Sequence, residues 1–294
     1  MPLVDMNALM RIAKKNGLML PAYNSTDVQM TLGIMDAFQR AGMPGIVQIA
    51  PTNVKVTGYE YIAQTTKMAA EHYVTPFALH LDHGKTLEDV RMAVSAGFTS
   101  VMIDGAALPF EENIRFSREA VDYAHCYGIP VEAELGALKG KEDDYVCEAD
   151  CHTDPALVEE FCDRTGCDTL AVSIGNVHGL VEKPKIDLKA LAAIHAVSPV
   201  PLVLHGGSGI PLETIRAMRP FGVMKVNIAS DLRQAYIRAV AKRYEANHDE
   251  ACLASVLMDA REAVSDVAFR LAIGMNEDVL IGKFSSPSTW PVAC

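Results

Sequence analysis

The stretch Ala78-Leu79-His80-Leu81-Asp82-His83-Gly84 sets a carboxylate and an imidazole side by side at the end of an apolar run. A short apolar run closed by a turn signal reads as a buried parallel strand. The carboxyl ends of such strands form the rim at which α/β enzymes bind their ligands. An Asp–His pair there supplies an acid/base group next to a metal ligand, although an isolated pair of this kind is more often structural. Other groups fall at comparable positions. Asn24, Asp104, Glu134, His205 and Asn227 end further apolar runs, and His178 lies a few residues beyond one, in Ile174-Gly175-Asn176-Val177-His178-Gly179. Each histidine alone reads as a satisfied rim or core residue. Three imidazoles (His83, His178 and His205) on one face beside carboxylates read as a zinc triad with coordination left open for a substrate.

A second group of residues suits an anion. His205-Gly206-Gly207-Ser208-Gly209-Ile210-Pro211 is a glycine-rich turn with a proline fit for the first turn of a helix. Asn227-Ile228-Ala229-Ser230 opens another helix. Backbone N–H groups of such turns and helix N-termini point at phosphate oxygens. Gly206, Gly207, Ser208, Asn227 and Ser230 therefore form a candidate phosphate site, and Asn24 is a further candidate for binding the substrate.

The elements that must position these groups alternate regularly. Strand-like runs at 18–23, 45–50, 77–81, 100–103, 129–134, 169–173, 201–205 and 223–226 are separated by helix-like segments. The helical segments fall near 27–41, 59–73, 86–96, 110–127, 155–165 and 187–197, with another from about Ser230. Eight strands with helices between them predict an α/β fold, the (β/α)8 TIM barrel, in which the seventh and eighth strands carry the usual phosphate loops. The segment 247–274 reads as extra C-terminal helix that covers the barrel or joins subunits, and 284–294 as an irregular tail. Residues 1–294 thus read as one domain. Gly17, Gly97, Gly128, Gly166 and Gly222 stand just before strands, where helices need C-terminal caps. The polar run 139–144, Lys139-Gly140-Lys141-Glu142-Asp143-Asp144, is long for an α/β connection. It reads either as a solvated charge run or as a lid carrying Glu142.

Composition agrees and excludes several classes. Half of the 294 residues are hydrophobic and only 6% aromatic, which suits helices packed on short parallel strands. A net charge of −11 argues against nucleic-acid binding. Seven cysteines in no regular framework imply free thiols and a cytoplasmic protein. Cys147, Cys151 and His152 lack the second pair that a structural zinc site requires. No stretch has the apolar length of a membrane span or the layout of a signal peptide.

With these residues in view, the chain resembles the class II, metal-dependent ketose-bisphosphate aldolases, which act on fructose 1,6-bisphosphate or tagatose 1,6-bisphosphate. The resemblance runs from about Asn7 to Gly274. It rests on Leu79 to Gly84, Ser100 to Gly105, Leu108-Pro109-Phe110-Glu111-Glu112-Asn113, Val131 to Gly136, Ile174 to Gly179, Leu204 to Gly209 and Lys225-Val226-Asn227. It implies one catalytic Zn2+ per subunit on His83, His178 and His205, with Asp104 and Glu134 holding a second divalent position. Asp82 resembles the acid/base for the C4 oxygen, and Glu142 the mobile-loop base for the C3 proton of dihydroxyacetone phosphate. Gly179, Gly206, Gly207, Ser208, Asn227 and Ser230 resemble the pocket for that product. A Na+ or K+ ion near the Gly179 and Gly206 carbonyls is implied too, as is a homodimer or homotetramer.

Ala50, Ala229 and Lys139 depart from the family pattern, the first two where relatives carry polar groups near the substrate. A class II aldolase of another phosphorylated keto-sugar therefore stays open. A metal-dependent hydrolase or isomerase would use the histidines but leave the two phosphate loops unexplained. A non-catalytic barrel subunit would be free to lose Asp82, Glu142 or a histidine.

Overall fold

The computed structural model describes residues 2–137, 140–142, 145–147, 152–177, 179 and 184–280. After helix α1 (Met6–Asn16), strand β1 (Leu20–Asn24) leads to α2 (Val28–Ala41), β2 (Gly45–Ile49), α3 (Pro51–Thr57) and α4 (Tyr59–Ala70). Next come β3 (Phe77–Gly84), α5 (Leu87–Ala96), β4 (Ser100–Ile103), α6 (Phe110–His125) and β5 (Val131–Leu135). A hairpin of β6 (Gly140–Glu142) and β7 (Tyr145–Cys147) precedes α7 (Pro155–Thr165) and β8 (Thr169–Val172). The chain continues through α8 (Leu188–Val197), β9 (Leu202–Leu204), α9 (Leu212–Met218), β10 (Val223–Ile228) and α10 (Ser230–Ala246). It ends in α11 (Leu253–Gly274) and α12 (Glu277–Leu280).

Strands β1, β2, β3, β4, β5, β8, β9 and β10 pair in parallel in that order, and β10 returns to β1 to close the barrel. This is the expected TIM barrel. Side chains alternate across each strand. On one face Val47, Leu79, Val101, Val131, Leu170, Leu202 and Val226 pack under the outer helices. The alternating face fills the interior. Its lower end is apolar: Leu20, Ala22, Ile46 and Ala78 meet Met6, Leu9, Met10 and Ala13 of α1, which plugs the barrel floor. Higher up the interior turns polar, with His80, Ser100, Glu132, Thr169 and Lys225 all buried.

Several boundaries differ from expectation, each for a local reason. The helix expected over 59–73 is preceded by α3, which Pro51 starts and which Gly58, at φ 84°, separates from α4. Within the polar run, Gly140–Glu142 forms a strand that pairs with Tyr145–Cys147. Gly17, Gly97, Gly166 and Gly222 cap helices in the left-handed region, whereas α6 is capped by Cys126 and Gly128 follows with φ 70°. Lys139 and the tail 284–294 lie outside the described residues.

The extra helix α11 lies against α10 and α2. Gly33 makes this approach possible, because a Cβ there would stand 2.7 Å from the Arg261 carbonyl oxygen. Beyond α11, the enclosed Asn276 accepts from Met19 N–H at 2.8 Å and donates to the Met19 carbonyl at 2.9 Å. It thus anchors the chain just before β1. Replacing Asn276 with Leu strands both Met19 groups away from water and should lower stability by about 2–4 kcal/mol. An unchanged urea midpoint would remove Asn276 from this role.

Candidate active site

The rim of the barrel gathers most of the residues singled out in the sequence. Asn24, Asp82, His83, Glu134 and Asn227 occupy the last residues of their strands, while Asp104 and His205 directly follow theirs. Asp82 is fully enclosed. Its Oδ2 accepts from the Asn24 amide at 2.6 Å and its Oδ1 from the Asn227 amide at 3.1 Å. Gln48 in turn donates to Asn24 Oδ1 at 3.0 Å. Amides from β1, β2 and β10 thus fix the orientation of one carboxylate on β3.

Consecutive residues of a regular strand point to opposite faces. Asp82 and His83 escape this rule through a register shift between β3 and β4 at Leu81/Gly84. His83 takes φ 48°, the one positive φ of a non-glycine among the described residues. Such backbone is costly for a residue with a Cβ and collects at functional sites. Gly84 allows the bend, as a Cβ there would meet the Met102 carbonyl oxygen at 2.5 Å. Both side chains consequently face the barrel mouth, where ligand atoms of Asp82, His83 and His205 lie within 4.8 Å of one another.

A second group shares His83. Asp104 Oδ2 lies 2.7 Å from His83 Nδ1, and Glu134 Oε2 lies 3.7 Å from it. The His83 and His205 rings meet edge to face at 4.5 Å. Burial alone would raise Asp104, but His83 and Lys85 hold it far below the usual carboxylate range. Glu134 behaves oppositely: burial, then repulsion from Asp104, pushes it well above that range.

The phosphate residues also converge. Gly207 N–H donates to the Asn227 carbonyl at 2.9 Å, and a Cβ at Gly207 would lie 2.8 Å from the same oxygen. This close approach brings the turn after β9 onto α10, where Asp231 N–H lies 3.5 Å from Ser208 Oγ. Ser230 is the first residue of α10. Gly179 has φ 87° and is half-buried. His178 lies outside the described residues, as does the side chain of Glu142, whose backbone belongs to β6.

The family model for class II fructose-bisphosphate aldolase matches residues 4–276. The chain belongs to this family. A fructose-bisphosphate aldolase of Staphylococcus epidermidis is 37% identical over 270 residues, covering 90% of this chain and 94% of its own. One from Staphylococcus aureus is 38% identical over 272 residues, with the same coverage of 90% and 94%. Among solved structures, the YdjI aldolase of Escherichia coli K12 superposes with a TM-score of 0.82 at 34% identity, over 94% of this chain and 98% of that one.

Class II aldolases use a divalent metal ion, and the residues present fit one. Glu134 Oε2 is buried without a hydrogen bond and lies 3.8 Å from His205 Nδ1 as well as near His83. A carboxylate so enclosed and repelled is short of positive charge, which a cation among these donors would supply.

Sequence reasoning missed a lower tier. Glu132 accepts from His205 Nε2 at 2.9 Å, and Lys225 Nζ contacts both Glu132 oxygens at 3.0 and 2.9 Å. The available signal was alternation. His80, Glu132 and Lys225 each stand two residues before a rim residue, so each shares its face.

The raised Glu134 value has a consequence for the metal-free protein. A carboxyl with a raised folded pKa contributes stability fully below the ordinary carboxylate range and loses it as pH rises toward the raised value. Metal-free Glu134→Gln should therefore gain melting temperature over the parent as pH rises above the ordinary carboxylate range, while its metal affinity falls. A parent that gains on the variant instead would mean that Glu134 ionises readily without metal.

Proposed function

We propose that this protein is a zinc-dependent aldolase that reversibly cleaves a ketose 1,6-bisphosphate to dihydroxyacetone phosphate and an aldehyde such as glyceraldehyde 3-phosphate. Fructose 1,6-bisphosphate is the favoured substrate and tagatose 1,6-bisphosphate the next. The observation that carries this reading is Asp82, enclosed, held by two amides and set beside His83 and His205.

Cleavage of the C3–C4 bond requires removal of the C4 hydroxyl proton and stabilisation of charge at C3. Asp82 is assigned the proton transfer, since the amides of Asn24 and Asn227 each occupy part of one oxygen and leave lone pairs to take and return the C4 proton. A divalent ion held by His83, His178 and His205 supplies the Lewis acidity that charge stabilisation needs. The interior Lys225 does not suit a Schiff-base role, being fully enclosed and paired with Glu132. Glu142 is assigned the C3 proton, on the strength of the family resemblance. The turn at Gly206, Gly207 and Ser208 and the start of α10 receive the phosphate of the dihydroxyacetone half through the backbone N–H groups of Gly206, Ser208 and Ser230, while the Gly207 N–H stays on the Asn227 carbonyl and fixes the turn. Gly179 and Gly206 carbonyls suit a Na+ or K+ ion beside that phosphate, and Asp104 with Glu134 a second divalent position.

Ala50 and Ala229 directly follow β2 and β10, and their departure from the polar residues of the family pattern favours as second reading an aldolase of a different phosphorylated keto-sugar. Exposed Ile237 and Tyr244 on α10 and Met258 on α11 support a homodimer or homotetramer. No helix among the described residues is long and apolar enough to cross a membrane. Free thiols at Cys126, Cys162, Cys167 and Cys252 support a cytoplasmic setting.

Triose-phosphate release from the fructose and tagatose bisphosphates, with and without chelator, tests the reading. Release should stop with chelator and return with zinc, and the rate ratio selects the sugar. Asp82→Asn should lower kcat by about 10²–10⁴-fold with metal content unchanged. Chelator-resistant turnover, or a fully active Asp82→Asn protein, would overturn the mechanism.

A further inference from the structure

Lys225 is a charged residue in the barrel interior that the chemistry at the rim does not use. It stands two residues before Asn227 on β10 and is fully enclosed. Its Nζ reaches both oxygens of the equally enclosed Glu132, at 3.0 and 2.9 Å. Glu132 Oε1 also accepts from His205 Nε2 at 2.9 Å, and Thr169 Oγ1 reaches Oε2 at 3.3 Å. On its other side Nζ lies 3.4 Å from His80 Nε2, and His80 Nδ1 lies 2.8 Å from Ser100 Oγ. The chain of contacts runs beneath the rim across β4, β3, β10, β5 and β8 and reaches the rim at His205, just after β9.

Stability alone does not account for this arrangement. An enclosed ion pair recovers little more than its desolvation cost, and apolar side chains of similar volume commonly serve a core as well or better. The directionality of the contacts is more telling. Lys225 donates to both Glu132 oxygens, so the carboxylate is an acceptor only, and His205 must donate from Nε2. In its neutral form the ring then carries its lone pair on Nδ1, the atom that faces Glu134 Oε2 at 3.8 Å. Metal-binding imidazoles depend on such partners for tautomer and ring orientation.

We propose that Lys225 is a positioning residue for the metal centre, acting through Glu132 to hold His205 with Nδ1 presented to the ion. This rests on the reading of His205 as a metal ligand given above. Lys225 touches neither the metal nor the substrate in this role. Its effect on turnover follows from metal occupancy and geometry, not from proton transfer.

The test uses metal-stripped full-length protein titrated with Co2+, whose visible absorption reports ligand geometry, and with Zn2+ against a chromophoric chelator. Lys225→Met leaves an enclosed carboxylate without its cation. It is therefore paired with Lys225→Met/Glu132→Gln, which removes both charges together. In the double variant a neutral amide no longer dictates which His205 nitrogen carries the proton. Its urea midpoint should stay near the parent's, its Zn2+ affinity should fall about 10- to 100-fold, and its cobalt spectrum should change. A double variant that folds, binds Zn2+ as tightly as the parent and keeps its cobalt spectrum would overturn the proposal. A second measurement needs no variant: 15N shifts of the His205 ring in the metal-free parent should report a proton on Nε2, and a proton on Nδ1 would overturn the proposal as well. The parent itself should bind Co2+ and lose it on His205→Ala. If it does not, the assignment of His205 to the metal fails first and the role of Lys225 falls with it, a result distinct from normal binding in the double variant.

Discussion

The pairing of the first strand with the last is the contact on which the rest of this structure depends. Ala22 stands opposite Asn227 across β1 and β10, far apart in the chain, and this pairing closes the barrel. Without closure Asp82 would lose one of its two amide partners, because Asn24 and Asn227 approach it from the two strands that meet at the seam. Closure also leaves no barrel strand edge to satisfy and excludes water from the interior. The α1 plug completes that exclusion at the floor with Met6, Leu9, Met10 and Ala13. Hydrogen bonds and charges at the rim therefore act in a drier medium than bulk water, where they are stronger and more demanding of partners.

That medium explains the division of labour along the barrel axis. The lower interior is apolar and well suited to stabilising the fold. The middle carries Glu132 and Lys225, whose mutual proximity outweighs burial and holds Glu132 far below the usual carboxylate range. His80, beside Lys225, is pushed down by burial and then by the ammonium, so it stays neutral. The top holds Glu134, which nothing among the described residues compensates fully. Charge is thus balanced below the rim and left unbalanced at it, as a site that binds a cation requires. Fold stability is supplied elsewhere, by the apolar layer under the helices and by the α2–α11 contact.

Local backbone distortion has a comparable logic. The bend at His83 converts two neighbouring residues, normally on opposite faces, into partners on one face. A regular strand would need an intervening residue to do the same, and the second side chain would then sit a full repeat lower. The strain is held by its surroundings: Gly84 packs against the Met102 carbonyl, and His83 N–H is directed at Met102 Sδ. The rigid strands on both sides keep the bend in place.

Much of this protein was legible in the amino-acid order. Eight apolar runs alternating with helical segments exclude a sandwich and match in number the strands of a parallel barrel, and they place Asn24, Asp82, Asp104, Glu134, His205 and Asn227 at strand ends. Glycines and prolines marked several helix boundaries, because their backbone preferences act within a few residues. The paired strands β6 and β7 and the helix α3 were less legible, as short polar segments have no periodicity strong enough to read. The tier of His80, Glu132 and Lys225 was legible only in part. Alternation puts each on the face of a rim residue two positions on, but says nothing of which of them meet, and their partners lie on strands up to 145 residues away. Residue order by itself therefore determined which groups reach the rim. Only the closed barrel decided which of them touch, since hydrogen bonding acts over a few ångströms in space and is indifferent to distance along the chain.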